Sequence, residues 1–232
     1  LRSNILPEAD GALQSSAPVG ALAPAPIVNF DGLTNLSGVL PPDTNGDVGP
    51  NHYMQWVNLN FAIYSKTGTL LYGPAAGNTL WSGFGGVCQT RNDGDPIVLY
   101  DQFADRWLLS QFTAGGPEYF NCVALSVTGD PTGSYYRWAF STGPNFPDYP
   151  KYGVWRDAYY ISTSEFGAVD FAGVGAYAID RAEMFAGKQA PQVISFLVPP
   201  GATAYNVGDG LLPTDIDGAT LPDAGADQIF VG

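Results

Sequence analysis

Four oxygen-bearing side chains crowd the segment PPDTNGDVGPN, residues 41–51. Asp43, Asn45, Asp47 and Asn51 stand at positions 1, 3, 5 and 9 of a calcium loop, where alternate residues of a tight turn bring oxygens to a hard cation. Gly46 and Gly49 would let the backbone bend. An EF-hand also requires a bidentate Glu at position 12, but Met54 stands there, so that loop type is excluded. The competing reading is a run of Asx turns, with Asp and Asn bonding their own backbone. A shorter echo, LPTDIDG (212–218), carries Asp215 and Asp217, but its fifth position is Ala219. A Ca²⁺ ion at 43–51 is the expectation, and Asp215 with Asp217 is a weaker second site.

Aspartate also recurs over a longer distance. Asp43, Asp95, Asp148 and Asp215 open successive groups of apolar runs, at intervals of 52, 53 and 67 residues. If each group begins with a strand beside a central channel, Asp95, Asp148 and Asp215 gather with Asp43 or Asp47 at one mouth. Crowded like charges there would raise one another's pKa values or recruit a cation. The alternative is that each Asp ties down its own loop through backbone N–H groups. Asp95, Asp148 and Glu165 are also candidates for the paired carboxylates of glycoside hydrolysis, though their spacing singles out neither acid nor nucleophile.

Other chemistry has little to work with. His52 is the sole histidine, and no G-x-S-x-G elbow accompanies it. It is expected to pack at the start of a strand. Zinc sites of His and Cys lack ligands, and GFGG (83–86) has neither the spacing nor the following helix of a nucleotide loop. Cys88 and Cys122 are expected to form a disulfide, with two buried thiols as the alternative. Trp56, Trp107 and Trp155 lie inside apolar runs and read as core. Trp81, in NTLWSGFGG, is the candidate surface aromatic for stacking on a sugar.

These residues sit in a chain of 232 that is 45% hydrophobic and only 13% charged, with 22 acids against 9 bases and a formal net charge of −13. Scattered Lys66, Lys151 and Lys188 make no basic patch, so nucleic acid and anionic membrane are excluded as partners. No apolar run approaches the length of a membrane span, so no insertion is expected. The sequence opens on Leu1 without a basic, apolar leader, as a processed secreted protein would.

The elements that must position the candidates are short. Residues 1–28, rich in Ala, Pro and Ser, read as an extended lead-in. From residue 52, apolar or alternating runs of strand length recur between Gly, Pro, Asn and Asp. Only DRAEMFAG (180–187) reads as helix, with Asp180 as cap and Gly187 as stop. DPIVLYDQFADRWLLSQF (95–112) and DYPKYGVWRDAYYISTSEF (148–166) share the order Asp, Pro, strand, Asp-bearing turn, aromatic strand, Phe. A repeat of this length with four strands per unit predicts an all-β chain of antiparallel β-propeller blades. A Greek-key sandwich is the rival, but it does not predict whole-unit repetition. Blade units fall near 43–94, 95–147 and 148–211, with the next beginning at 212–232. About three and a half blades leave open edges. Another chain, or residues beyond Gly232, is expected to close the ring.

The segments PPDTNGDVGPNHYMQWVN, GDPIVLYDQFADRWLLSQF, VTGDPTGSYYRWAFS and FPDYPKYGVWRDAYYIS resemble a group of secreted bacterial β-propeller proteins without a settled biochemical role. The likeness spans roughly residues 38–232 and implies an extracellular location and a longer parent chain. It supplies no catalytic residue. The spacing of 43–51 also resembles the calcium loops of integrin-type propellers. The expected function is a calcium-stabilised extracellular binding or surface module for a glycan or protein surface. A polysaccharide-active enzyme and a self-assembling structural subunit are the alternatives.

Overall fold

The computed structural model describes residues 25–201, 208 and 210–232, so most of the expected N-terminal lead-in lies outside the described residues. Twelve strands form three four-stranded sheets in chain order. Sheet 1 holds β1 (Thr44–Val48), β2 (His52–Val57), β3 (Asn60–Ser65) and β4 (Leu70–Ala76). Sheet 2 holds β5 (Ile97–Asp101), β6 (Arg106–Phe112), β7 (Tyr119–Ser126) and β8 (Tyr135–Gly143). Sheet 3 holds β9 (Phe146–Val154), β10 (Ala158–Phe166), β11 (Phe171–Asp180) and β12 (Val193–Val198). Every neighbouring pair is antiparallel and consecutive in sequence. A two-stranded ladder, β13 (Leu212–Pro213) with β14 (Phe230–Val231), follows. The all-β expectation and the four-strand grouping therefore hold.

Burial explains why the strand patterns differ. Sheet 2 lies between the other two sheets and is apolar on both faces. Trp107, Leu109, Cys122 and Ala124 pack against Met54, Trp56, Phe61 and Ile63 of sheet 1. Leu108, Val123, Leu125 and Trp138 pack against Tyr152, Val154, Tyr159, Ile161 and Ile179 of sheet 3. A strand covered on both sides loses alternation, which is why RWLLSQF reads as a near-continuous apolar run. Sheet 1 is covered on its far side by Phe30 and Leu33, which pack on Val57, Ala62 and Tyr64.

Side chains, not a continued ladder, link the first strands of successive sheets. Asn45 Oδ1 accepts from the Val98 N–H at 2.8 Å, and Asp47 Oδ2 accepts from the Tyr100 N–H at 2.7 Å. Asp215 Oδ1 does the same for the Val154 N–H at 2.6 Å. The register 45 to 98 and 47 to 100 sets β1 parallel to β5. These carboxylates and amide cap edge N–H groups that would otherwise be left unpaired in a largely buried position.

Two further locks hold the sheets. Cys88, on the short helix α1 (Gly86–Thr90), is bonded to Cys122 of β7 with an S–S length of 2.02 Å, as expected. Asp101, fully buried at the end of β5, receives Nε and Nη2 of Arg181 at 2.7 Å each and the Tyr159 hydroxyl at 2.7 Å. Arg181 opens α2 (Arg181–Phe185), where the Asp180 side chain accepts from Glu183 N–H at 2.8 Å and Gly187 has φ +64°. The expected cap and stop are thus in place.

Candidate functional site

The segment 43–51 is not a loop. Residues 44–48 are strand β1, and a tight turn joins it to β2, with Val48 opposite Tyr53. Alternation along β1 turns Asn45 and Asp47 toward β5, where they accept the two backbone N–H groups described above. Asp47 Oδ1 also accepts from its neighbour Val48 N–H at 2.6 Å. Asp43 Oδ2 takes an Asn58 Nδ2 hydrogen at 2.7 Å, and Asn51 is exposed on the turn. The strand was missed because TNGDV has no apolar face. Its side chains are chosen to satisfy a neighbouring backbone, which hydropathy does not register.

Asp43 and Asp95 precede their strands in matched left-handed conformations, with φ of 42° and 43°. In the third unit the residue with this geometry is Tyr149, at φ 51°. The pairs Asp95-Pro96 and Tyr149-Pro150 are therefore equivalent, and Asp148 stands one residue earlier, at a register break opposite Ser162 to Ser164. The third sheet accordingly starts at residue 146, before the expected unit boundary.

Asp43, Asp95, Tyr149 and Lys151 line one cleft of about 210 Å³ beside the N-terminal ends of β1 and β5. Burial pushes the Asp95 carboxyl up to about 6, and the charges of Asp43 and Asp148 add to the effect, while the Tyr149 N–H and Lys151 oppose it. Asp148 is raised by burial and by Asp43, although the Tyr149 N–H donates to its Oδ1 at 3.1 Å. Burial lowers the Lys151 ammonium, and the three carboxylates counter this. Its Nζ lies 3.2 Å above the Tyr149 ring centroid, a cation–π contact that holds the lysine in the cleft. Three expected mouth residues are thus close enough to shift one another's protonation.

Asp215 is not among them. Its hydrogen bond to Val154 places it at the opposite end of β9, and burial raises its pKa, with Asp217 and Asp47 as the neighbouring charges. The expectation of one shared mouth is corrected on this point: Asp215 follows β13, whereas Asp43 and Asp95 precede their strands.

Glu165 does not line the cleft. It is 4% exposed and accepts from the Tyr177 hydroxyl and from Asn145 Nδ2, the latter at 2.9 Å. Trp81 is fully buried, which overturns its reading as a surface aromatic. The turn of 3₁₀ helix Gly77–Trp81 folds back onto sheet 1, where a Cβ on Gly77 would fall 2.2 Å from the Trp56 ring. Trp56 and Trp107 are core as expected, while Trp155 is half-buried and donates to Ala226 O at 3.1 Å. His52 opens β2, with Nε2 3.7 Å from Asp130 Oδ1. The Asp101–Arg181–Tyr159 cluster was not foreseen. Sequence carries no mark that separates a buried, paired Arg from a solvated one.

Among the described residues, no group of three or more His, Cys, Asp or Glu is placed to hold a metal ion, and no helix is long and apolar enough to cross a membrane. No family model, curated protein or solved structure gives a significant match to this chain.

Proposed function

We propose that this chain is part of a secreted β-propeller and acts as a non-catalytic binding module. Its three sheets are the blades, and β13 begins a fourth. Support comes from the consecutive four-stranded meanders, their face-to-face cores and the parallel set of β1 and β5 along one axis. The disulfide is compatible with an extracellular setting.

The observation that carries the function is the cleft lined by Asp43, Asp95 and a single Lys151, with Asp148 close enough to add its charge. Carboxylates outnumber the ammonium, so the cleft selects a basic group presented by a partner surface. Calorimetric titration with a hexalysine peptide tests this. Affinity should fall about tenfold between pH 7.5 and pH 5, as Asp95 takes up its proton. Binding that is unchanged in an Asp95→Asn/Asp148→Asn double variant would sink the proposal.

The raised Asp95 beside two other carboxyls also favours a second reading, a general acid for glycoside hydrolysis. Turnover of a polysaccharide that disappears in Asp95→Asn would establish it, and the absence of turnover on a polysaccharide panel would remove it. Calcium at Asp43, Asn45, Asp47 and Asn51 is a proposal that the geometry makes costly, because an ion there would compete with the amides of β5 for the oxygens of Asn45 and Asp47. A thermal melt with and without EDTA decides it. A fall in melting temperature on chelation supports the ion. An unchanged value leaves these side chains as hydrogen-bond locks.

A further inference from the structure

Three strands away from the mouth, β8 forms the outer rim of sheet 2 and separates two hollows. One, of about 440 Å³, opens toward sheet 1. The other, of about 580 Å³, opens toward sheet 3. Tyr135 and Arg137 line both, so the hollows meet across the rim. Each also presents an aromatic ring to solvent: Tyr72, 44% exposed, in the first and Phe84, 39% exposed, in the second.

Arg137 is the only ionised side chain in either lining, and it is in no ion pair among the described residues. This is unusual company for a guanidinium in a chain where acids outnumber bases 22 to 9. Its Nη1 is fixed by Ser82 O at 2.7 Å and Leu80 O at 3.4 Å, and its Cζ lies 5.7 Å from the Phe84 ring centroid. A guanidinium has five N–H donors, and those on Nε and Nη2 remain for a ligand. The fork is therefore held in one orientation and still has donors to offer, with an exposed ring in the hollow on either side.

We propose that this rim binds a linear, uncharged oligosaccharide. Two adjoining hollows suit an extended ligand better than a compact one. Exposed Tyr and Phe rings stack on the apolar faces of sugar rings, and Arg137 and Ser134 supply polar contacts to hydroxyls. Among the described residues no carboxylate lines the rim to take a cation, and the net charge of −13 repels a polyanion. This site is independent of the mouth cleft.

Affinity electrophoresis and calorimetry with cellohexaose, xylohexaose and chitohexaose, each beside its disaccharide, test the proposal. At least one hexamer should bind roughly tenfold more tightly than its disaccharide, because only the longer chain reaches both rings. Tyr72→Ala and Phe84→Ala should each weaken it by roughly fivefold to tenfold, and Arg137→Gln should weaken it as well. Both rings are partly exposed, so these variants should keep the wild-type melting temperature, which is measured alongside. Binding of none of the three hexamers overturns the proposal. So does a Tyr72→Ala/Phe84→Ala double variant that binds as wild type, or a preference for hexagalacturonate over every neutral hexamer.

Discussion

Replacing Asp95 by Asn should stabilise the protein increasingly as pH rises from about 4, with the full gain reached above about pH 6. The carboxyl is raised from 3.8 to about 6, chiefly by burial and then by Asp43 and Asp148. The folded state therefore holds a proton on Asp95 over a range in which the unfolded chain has released it. The sign follows: the contribution of Asp95 to stability is most favourable below pH 4, is lost as pH rises toward 6, and stays lost above that. The full linkage penalty would be at most about 3 kcal/mol. Asp95 is only half-buried, so solvent screening reduces this to about 1 kcal/mol. Asn keeps the side-chain shape, tolerates the left-handed backbone at φ 43° and brings no charge. Thermal melts from pH 4 to pH 8 should give a gain of roughly 2–4 °C at pH 8, shrinking to nothing at pH 4. A loss of stability at pH 8, or a gain independent of pH, would refute the account of Asp95 as a carboxyl whose charge is disfavoured by burial and by its acidic neighbours.

The remaining predictions concern the locks between sheets. A Cys88→Ser/Cys122→Ser double variant should lose about 3–4 kcal/mol in urea unfolding, because the bridge closes a loop across 34 residues. The two cysteines are bonded to each other and fully buried, so thiol labelling should fail in the native protein and in denaturant alone, and should succeed only when denaturant is combined with a reductant. Arg181→Met leaves Asp101 buried without its bidentate partner and should cost about 3–5 kcal/mol, read from the urea midpoint. Adding Asp101→Asn to that variant should recover part of the loss, and no recovery would count against the pair as a charge-driven lock. Asp47→Ala uncaps the Tyr100 N–H and should cost about 1–2 kcal/mol. Its signature is faster hydrogen exchange at the Tyr100 amide, and unchanged exchange would show that the cap is not what protects it.

Those locks also explain which parts of the molecule the sequence disclosed. Runs such as NCVALSV and YYISTS stood out because the sheets are buried face to face, so hydrophobicity and strand position coincide. DRAEMFAG was legible for a different reason: Asp180 caps through its own side chain and Gly187 alone suits the stop, so both signals are local. β1 has neither property. Its residues serve the backbone of β5, 53 positions away in the hydrogen bonds to Val98 and Tyr100, and their spacing mimics a metal loop because both tasks demand oxygens on alternate residues. The same ambiguity separates the aspartates. Asp43, Asp95 and Asp148 look alike in sequence to Asp215, yet a shift of position relative to the strand sends Asp215 to the opposite end of β9. Trp81 read as exposed because glycines surround it, but Gly77 is there to let the turn close over Trp56. Repetition in the chain thus marks where a unit begins, while the atoms that an aspartate or tryptophan meets are set by the neighbouring sheet, which no local pattern encodes.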